Sequence, residues 1–344
     1  MAYTHFRYIA YQVPTVGLIG KQLCGMLPGN EPVLAPNTSY CNQAIQYLGS
    51  ISNTDAKIRM ARLFSVLLYA QENIPADDVT MNVFLAPEFY FRPYQSTIAG
   101  QPPAYSYADY CNLKEAFGEF IEDDRFQHWL IIPGSVIWND VNSIGKREPK
   151  DWQLFYNTAL CGASEYKVNE KAYPSIIDGM PLLNANGTPV STLTNTVFTN
   201  TTSRYKSDQK LAKHIFNFHE VKCGMEICLE HHMGVLKTAY QQYIASIPSG
   251  STAIPIQLQL LIAGGMTIQP SNIAVTNNAY VLRNDGLYNP SVPQTQLIHP
   301  NGQSFPIQQT WKLTDSMAVQ DPPGCNAGYS FPQALNIYPE LPLS

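Results

Sequence analysis

Apolar and polar positions follow two rhythms along this chain, and the rhythms trade places from one segment to the next. Short, nearly continuous apolar runs read as strands, and "VTMNVFLAPEF" among them as one buried on both faces. They are "FRYIAYQV" near the start, "VTMNVFLAPEF" ended by Pro87, "HWLIIPGSV", "FYNTALCGA", "HEVKCGMEIC" and "LQLLIAGG". Between them, apolar residues recur every three or four positions. In "DAKIRMARLFSVLLYAQE" Ile58, Ala61, Phe64, Leu67 and Leu68 form a helical stripe, with Thr54 or Asp55 as the expected N-cap. "NLKEAFGEFIEDD" reads as a second helix, and in "LEHHMGVLKTAYQQYIA" Leu236, Ala239, Tyr240 and Tyr243 share one helix face. Further on, "SNIAVTNNAYVLRND" is mixed, and "TQLIHPNGQSFPI" predicts a strand, a turn at Pro300–Asn301–Gly302 and a returning strand.

Two regions stand outside this alternation. Residues 179–207 are rich in Thr and Asn and read as a long surface insertion. Beyond Ser316 the prolines predict either loop or an arm around another subunit. No internal repeat or low-complexity linker divides the chain. The expected organisation is one α/β domain over residues 1–316, followed by a Pro-rich tail over 317–344.

Composition narrows the class. The chain has 344 residues, enough for a large core, with 14% charged and 45% apolar residues. Charge is well below the usual share of about a quarter. That predicts an extensive interior or surface hidden between subunits. A net charge of −5 without a Lys/Arg run argues against nucleic acid or an anionic membrane as partner. No segment approaches the roughly 18 apolar residues that a membrane span needs. The N-terminus lacks a basic region followed by an unbroken apolar core, so no signal peptide is expected. Seven cysteines, an odd number without metal-like pairing, fit reduced thiols in a cytoplasm. The sequons at Asn37, Asn186 and Asn200 would matter only on export.

The candidate chemistry sits at strand ends. "VKCGMEICLEHH" runs from an apolar strand into a helix, and Cys228 stands at that turn, where helical amides and dipole favour a thiolate. A nucleophilic cysteine also needs a base, and Glu88, directly after "NVFLAP", lies where an apolar pocket raises a carboxyl pKa. An anionic tetrahedral intermediate asks for a fixed ammonium. Against these stand blander readings: a buried inert thiol for Cys228, and a simple turn start for "Pro-Glu". The neighbours Glu230, His231 and His232 suggest a metal site at first sight. Adjacent histidines point to different sides of a helix, however, and no further ligand lies at the required spacing, so no metal is expected.

Taken in order, these pieces resemble the nitrilase superfamily of carbon–nitrogen hydrolases, from about Tyr8 to about Gly302. The resemblance rests on "FLAPEF", on "FYNTALCGASEYKVNEKAYPS" and on "GMEICLEH". Lesser landmarks agree: "YIAYQ", "LIIPGSV", "AVTNNAYVLRNDG" and "LIHPNG". It implies a four-layer αββα sandwich pairing with a second copy into a homodimer or larger homo-oligomer. It also implies a Glu-Lys-Cys set without cofactor: Glu88 as general base and acid, Lys171 as the ammonium, and Cys228 as nucleophile. "EKAYPS" matches the family's K-x-x-P-[TS] form and favours Lys171 over Lys167. Lys206, Lys210 and Lys213 fall too close before Cys228. The Leu229 amide, Asp178 and Glu230 are the expected supporting groups. Asp178 stands where many members carry a glutamate and is one methylene shorter. After the nucleophile, "C-x-E-H" resembles true nitrilases, whereas Leu229 and Gly234 depart from them and "GMEIC" resembles amidases. The substrate is thus a small amide or nitrile.

The loop after Glu88, "FYFRPYQSTIAGQPPAYSY", is aromatic and proline-rich. Tyr90 and Arg92 are the expected substrate contacts, Arg92 for a carboxylate. Three rivals remain: a thiol–imidazole hydrolase using His299, an acyltransferase of the same superfamily, and a non-catalytic scaffold with this fold.

Overall fold

The computed structural model describes residues 3–19, 22–25, 39–75, 77–93, 104–139, 155–162, 167–173, 178, 213–287, 292–313 and 333–343. The expected insertion at 179–207, Lys206, Lys210 and the three sequons lie outside these residues.

The short apolar runs become strands of two five-stranded sheets. The first has β1 (His5–Gln12), β4 (Thr80–Leu85), β6 (Trp129–Ile132), β15 (Gln309–Leu313) and β16 (Gln333–Pro342), in the order β15-β16-β1-β4-β6. The second has β10 (Ile215–Phe218), β11 (Val221–Ile227), β12 (Leu258–Ala263), β13 (Tyr280–Asp285) and β14 (Thr295–Ile298), in sequential order. A four-stranded sheet runs β5 (Tyr105–Ser106), β7 (Ser135–Asn139), β8 (Phe155–Cys161) and β9 (Lys167–Glu170), and β2 (Val16–Ile19) pairs with β3 (Gln22–Gly25). In the first sheet β1, β4 and the edge strand β6 run parallel, and at the centre of the second so do β11, β12 and β13. "HWLIIPGSV" supplies two strands of different sheets, β6 and β7, because Pro133–Gly134 breaks the run.

The helices are α1 (Ser39–Ile45), α2 (Thr54–Asn73), α3 (Tyr107–Ile121), α4 (Leu229–His232) and α5 (Val235–Ser246). Asn53, rather than Thr54 or Asp55, caps α2, its side chain accepting from the Ala56 amide. The third predicted helix is broken in two at Gly234, which holds φ +65°.

Strand alternation sorts the core. From β1 and β4, Phe6, Tyr8, Ala10, Met81, Val83 and Leu85 join a cluster with Cys223, Met225 and Ile227 of β11 and Leu258, Leu260 and Ile262 of β12. The intervening Ile9, Tyr11 and Phe84 join Met60, Phe64 and Leu67 of α2 and Leu113 and Phe117 of α3. On the second sheet, Leu236 of α5 packs with Ile256 and Ala274 and comes so close to β11 that a Cβ at Gly224 would lie 2.6 Å from its side chain. Asn284 crosses between the sheets, donating to the carbonyls of Tyr11 and Leu85 at 2.9 and 2.6 Å. The architecture is mixed α/β. The C-terminal region differs from the expected loop or arm: β16 pairs antiparallel with β1 in the middle of the first sheet, and Tyr338 stacks on Tyr8 at 4.9 Å.

Candidate functional site

Parallel strands end together, and ligands of α/β sheets gather at those carboxyl ends. Glu88 follows β4 by three residues, Cys228 follows β11 directly, and Gly264 follows β12 directly. Lys171 follows β9 directly and is brought in by its own amide, which donates to the Asn157 carbonyl of β8 at 2.8 Å. Two non-glycine residues here hold left-handed backbone, Phe89 at φ +64° and Cys228 at φ +48°. Such conformations cost about 1–3 kcal/mol each and concentrate at functional turns.

The side chains converge in a buried cluster. Lys171 Nζ lies 2.7 Å from Glu88 Oε1 and 3.0 Å from each oxygen of Asp178. Asn157 Nδ2 donates to the same two carboxylates, at 2.8 Å to Glu88 Oε1 and 2.6 Å to Asp178 Oδ1. The Cys228 thiol lies close enough to Glu88 and Lys171 for their charges to act on it, and Glu88 Oε2 takes no hydrogen bond. Glu88, Lys171, Asp178 and Cys228 are all buried. Asp178, one methylene shorter than a glutamate, reaches the ammonium with both oxygens.

Burial and charge set the protonation states. Burial raises the Glu88 carboxyl to about 7, with Lys171 pulling it down and Asp178 pushing it up. Burial works against the Lys171 ammonium, but Asp178 and Glu88 outweigh it and hold the amine protonated, well above its ordinary value. The Cys228 thiol is pushed well above the ordinary thiol range by burial and by Glu88. The resting cluster therefore holds a neutral thiol beside a carboxyl poised to accept its proton.

The supporting residues divide. Glu230 is fully buried, accepting from the Ala172 amide at 2.6 Å and the Ile227 amide at 2.8 Å. Leu229 opens α4, so its amide has no intrahelical acceptor. Arg92 is buried, its guanidinium 5.3 Å from the Phe89 ring centroid, while Asp178 and Glu88 favour its charge against burial. Tyr90 is not brought to the site. Its ring packs against Tyr11 and Phe91 in the helix-side core and its hydroxyl donates to the Arg59 carbonyl at 3.1 Å, because the turn at Phe89 sends successive side chains to opposite sides.

The histidine-rich stretch is structural. His231 Nδ1 donates to Glu226 at 2.8 Å and Nε2 accepts from the Gln269 amide at 2.9 Å, a neutral tautomer with both nitrogens used. Among the described residues no group of His, Cys, Asp and Glu could hold a metal ion. His299 stacks on Tyr280 and donates to the Ala279 carbonyl. Lys213 is exposed.

Asn157, Gly264 and Phe89 were not legible as site residues. Asn157 left one signal, an amide inside an otherwise apolar strand. Gly264 carries none in sequence, since its role is close approach: a Cβ there would lie 2.7 Å from the Phe89 ring and 3.2 Å from Glu88 Oε2.

No protein-family model matches the chain, and no curated protein does. Solved structures that match include an amidase from Nesterenkonia sp., at 13% identity and a TM-score of 0.41, covering 98% of this chain and 92% of that one. A variant of the amidase from Nesterenkonia sp. AN1 in complex with butyramide matches at 12% identity and a TM-score of 0.41, covering 97% and 91%. Another variant, described as belonging to the nitrilase superfamily, matches at 12% identity and a TM-score of 0.41, covering 100% and 92%.

Proposed function

We propose that this chain is a carbon–nitrogen hydrolase of the nitrilase-superfamily type, cleaving a small amide or nitrile through a cysteine thioester. The observation that carries the reading is the buried contact of Lys171 with Glu88 and Asp178, in a cluster whose charges act on the buried Cys228 thiol. A structural ion pair has no need of a thiol at the same carboxylate.

The steps follow from the geometry. Cys228 Sγ attacks the carbonyl or nitrile carbon while its proton passes to Glu88, so no free thiolate has to form in the buried site. The negative charge that develops on oxygen or nitrogen is met by the Lys171 ammonium and the Leu229 amide. For an amide, collapse of the intermediate breaks the C–N bond, and Glu88 returns its proton to the departing ammonia or amine. Glu88 then takes a proton from water, whose oxygen attacks the thioester, and passes that proton to the departing sulfur, so that the acid and the Cys228 thiol are released. Asn157 keeps Glu88 and Asp178 in register with the ammonium throughout.

The same reading takes the core clusters on both faces of the two large sheets as a four-layer αββα sandwich, with a second copy completing a homodimer. Cys111 and Cys228 are free thiols, in keeping with a reducing cytoplasm, and no described helix is long and apolar enough to cross a membrane.

The deciding experiment is ammonia release across primary amides, ureides and nitriles, with intact-mass detection of the thioester. Cys228→Ala is expected to abolish turnover and iodoacetamide labelling of this thiol, a loss of several powers of ten. Full activity in that variant ends the proposal. Partition of the thioester to added hydroxylamine, at the expense of water, would instead mark an acyltransferase.

A further inference from the structure

We infer that Glu230 is a positioning residue that sets Lys171 against Glu88 by holding the chain on both sides of the site. One carboxylate oxygen takes the amide after Lys171, and the other takes the amide before Cys228. The inference rests on the functional reading above and deepens it.

The physical need for such a clamp begins at a sheet edge. β10 pairs with β11 only as far as Ile215 opposite Gly224. Past that point the outward backbone groups of β11 have no ladder partner, and a buried orphan is costly. Side chains fill the gap. His214 Nδ1 donates to the Met225 carbonyl at 2.9 Å, and Glu230 Oε2 accepts from Ile227 at 2.8 Å. Edge repair accounts for Oε2 alone. Oε1 reaches across to a different sheet, where Ala172 N lies 2.6 Å away just past the end of β9. Lys171 is thus held through its own amide by β8 and through the next amide by Glu230.

Both oxygens accept backbone amides, which together with His214 favour the carboxylate against the burial that raises its pKa. The titratable groups facing it are His214, whose Nε2 lies 3.7 Å from Oε1, and Glu226 on β11. Beyond Ala172 stand Lys171, Glu88 and Asp178. The consequence is electrostatic: Lys171 is what draws the Glu88 carboxyl down towards 7. If the clamp loosens and the ammonium drifts, Glu88 titrates higher.

The test is the pH dependence of Cys228 alkylation by iodoacetamide, read by intact mass, in Glu230→Gln and Glu230→Asp. Glu230→Gln keeps the shape but sets an NH2 donor against a backbone N–H; Glu230→Asp keeps two acceptors with a shorter reach. The acid limb is expected to move up by about half a unit or more in Glu230→Gln and by less in Glu230→Asp. On a substrate, kcat is expected to fall about tenfold or more with KM nearly unchanged. Glu226→Gln is the control: its carboxylate serves the Leu236 amide, Gln259 and His231, so stability falls while the limb stays in place.

A folded Glu230→Gln with the wild-type limb overturns the clamp and leaves the hydrolase reading intact. So does an equal shift in Glu226→Gln. A wild-type Cys228 that resists alkylation at every pH sinks both. Should neither Glu230 variant fold, amide exchange in the wild type decides: slow exchange at Ala172 and Ile227 supports the clamp, and fast exchange at Ala172 refutes it.

Discussion

Replacing Asp178 by Asn removes one charge from the buried cluster and turns one of the two oxygens that face Lys171 into an NH2 donor. The side chain keeps its Oδ1 acceptor, which serves both Lys171 Nζ and Asn157 Nδ2. Glu88 and Asp178 share one ammonium, so their oxygens lie within about 6 Å of each other, and unit charges at that separation interact by about 3 kcal/mol at an effective dielectric of about 20. Divided by about 1.4 kcal/mol per pKa unit, this predicts a fall of about 2 units in the Glu88 carboxyl, from about 7. The sign follows from the roles: Asp178 disfavours ionised Glu88, so removing it lets Glu88 serve as base at lower pH. The plateau rate is expected to drop, because Lys171 loses an anionic partner. The assay is kcat/KM, or Cys228 alkylation, between pH 4.5 and 9. The acid limb should move to about 5 while the plateau falls. A limb that stays near 7, or rises, refutes the claim that the two carboxylates share one field.

Three further changes probe the same construction. Lys171→Met leaves two buried carboxylates without their cation, and a loss of about 3–5 kcal/mol is expected along with activity. Because Glu88 already titrates above the ordinary carboxyl range when folded, its stabilising contribution is full below about 4.5 and is lost as pH rises through about 7; the variant's deficit, measured by urea unfolding, should therefore be larger at pH 8 than at pH 5. Gly264→Ala sets a methyl against the Phe89 ring and Glu88 Oε2, and should cut kcat by about tenfold or more with a cost of about 1–3 kcal/mol in stability; a silent variant would mean that this approach is looser than the structure shows. Arg62→Met should raise the unfolding free energy measured in urea by about 1–2 kcal/mol, since the buried guanidinium leaves Nε and Nη1 without hydrogen-bond partners beside Arg59; destabilisation would show that a partner exists.

Glu88 and Cys228 were legible because each stands where an apolar run stops, and the end of a buried strand is a position that sequence marks. Lys171 was legible only through "EKAYPS", since its strand, β9, is short and polar: Val168 is half exposed while Asn169 is buried. What the chain could not announce are contacts made across sheets. Asn157 bridges two carboxylates contributed by segments 69 and 21 residues away, and its neighbours in β8 give no hint which face it uses. Tyr90 shows the converse error. Proximity to Glu88 in sequence suggested proximity in space, but the left-handed turn at Phe89 sends Tyr90 into the helix-side core and keeps the Phe89 ring by the site. The tail misled for a related reason. Prolines argue against a central strand, yet the proline-containing part of β16 pairs near His5, at one end of β1, while "QALNIY" fills the middle. Strand ends are local properties and can be read off a sequence. A site composed from the ends of β4, β9, β11 and β12 is a property of their register, and four separate registers have to agree before one ammonium can touch both carboxylates. That agreement is also why a single charge change at Asp178 or Glu230 is expected to move the titration of Glu88 in opposite directions.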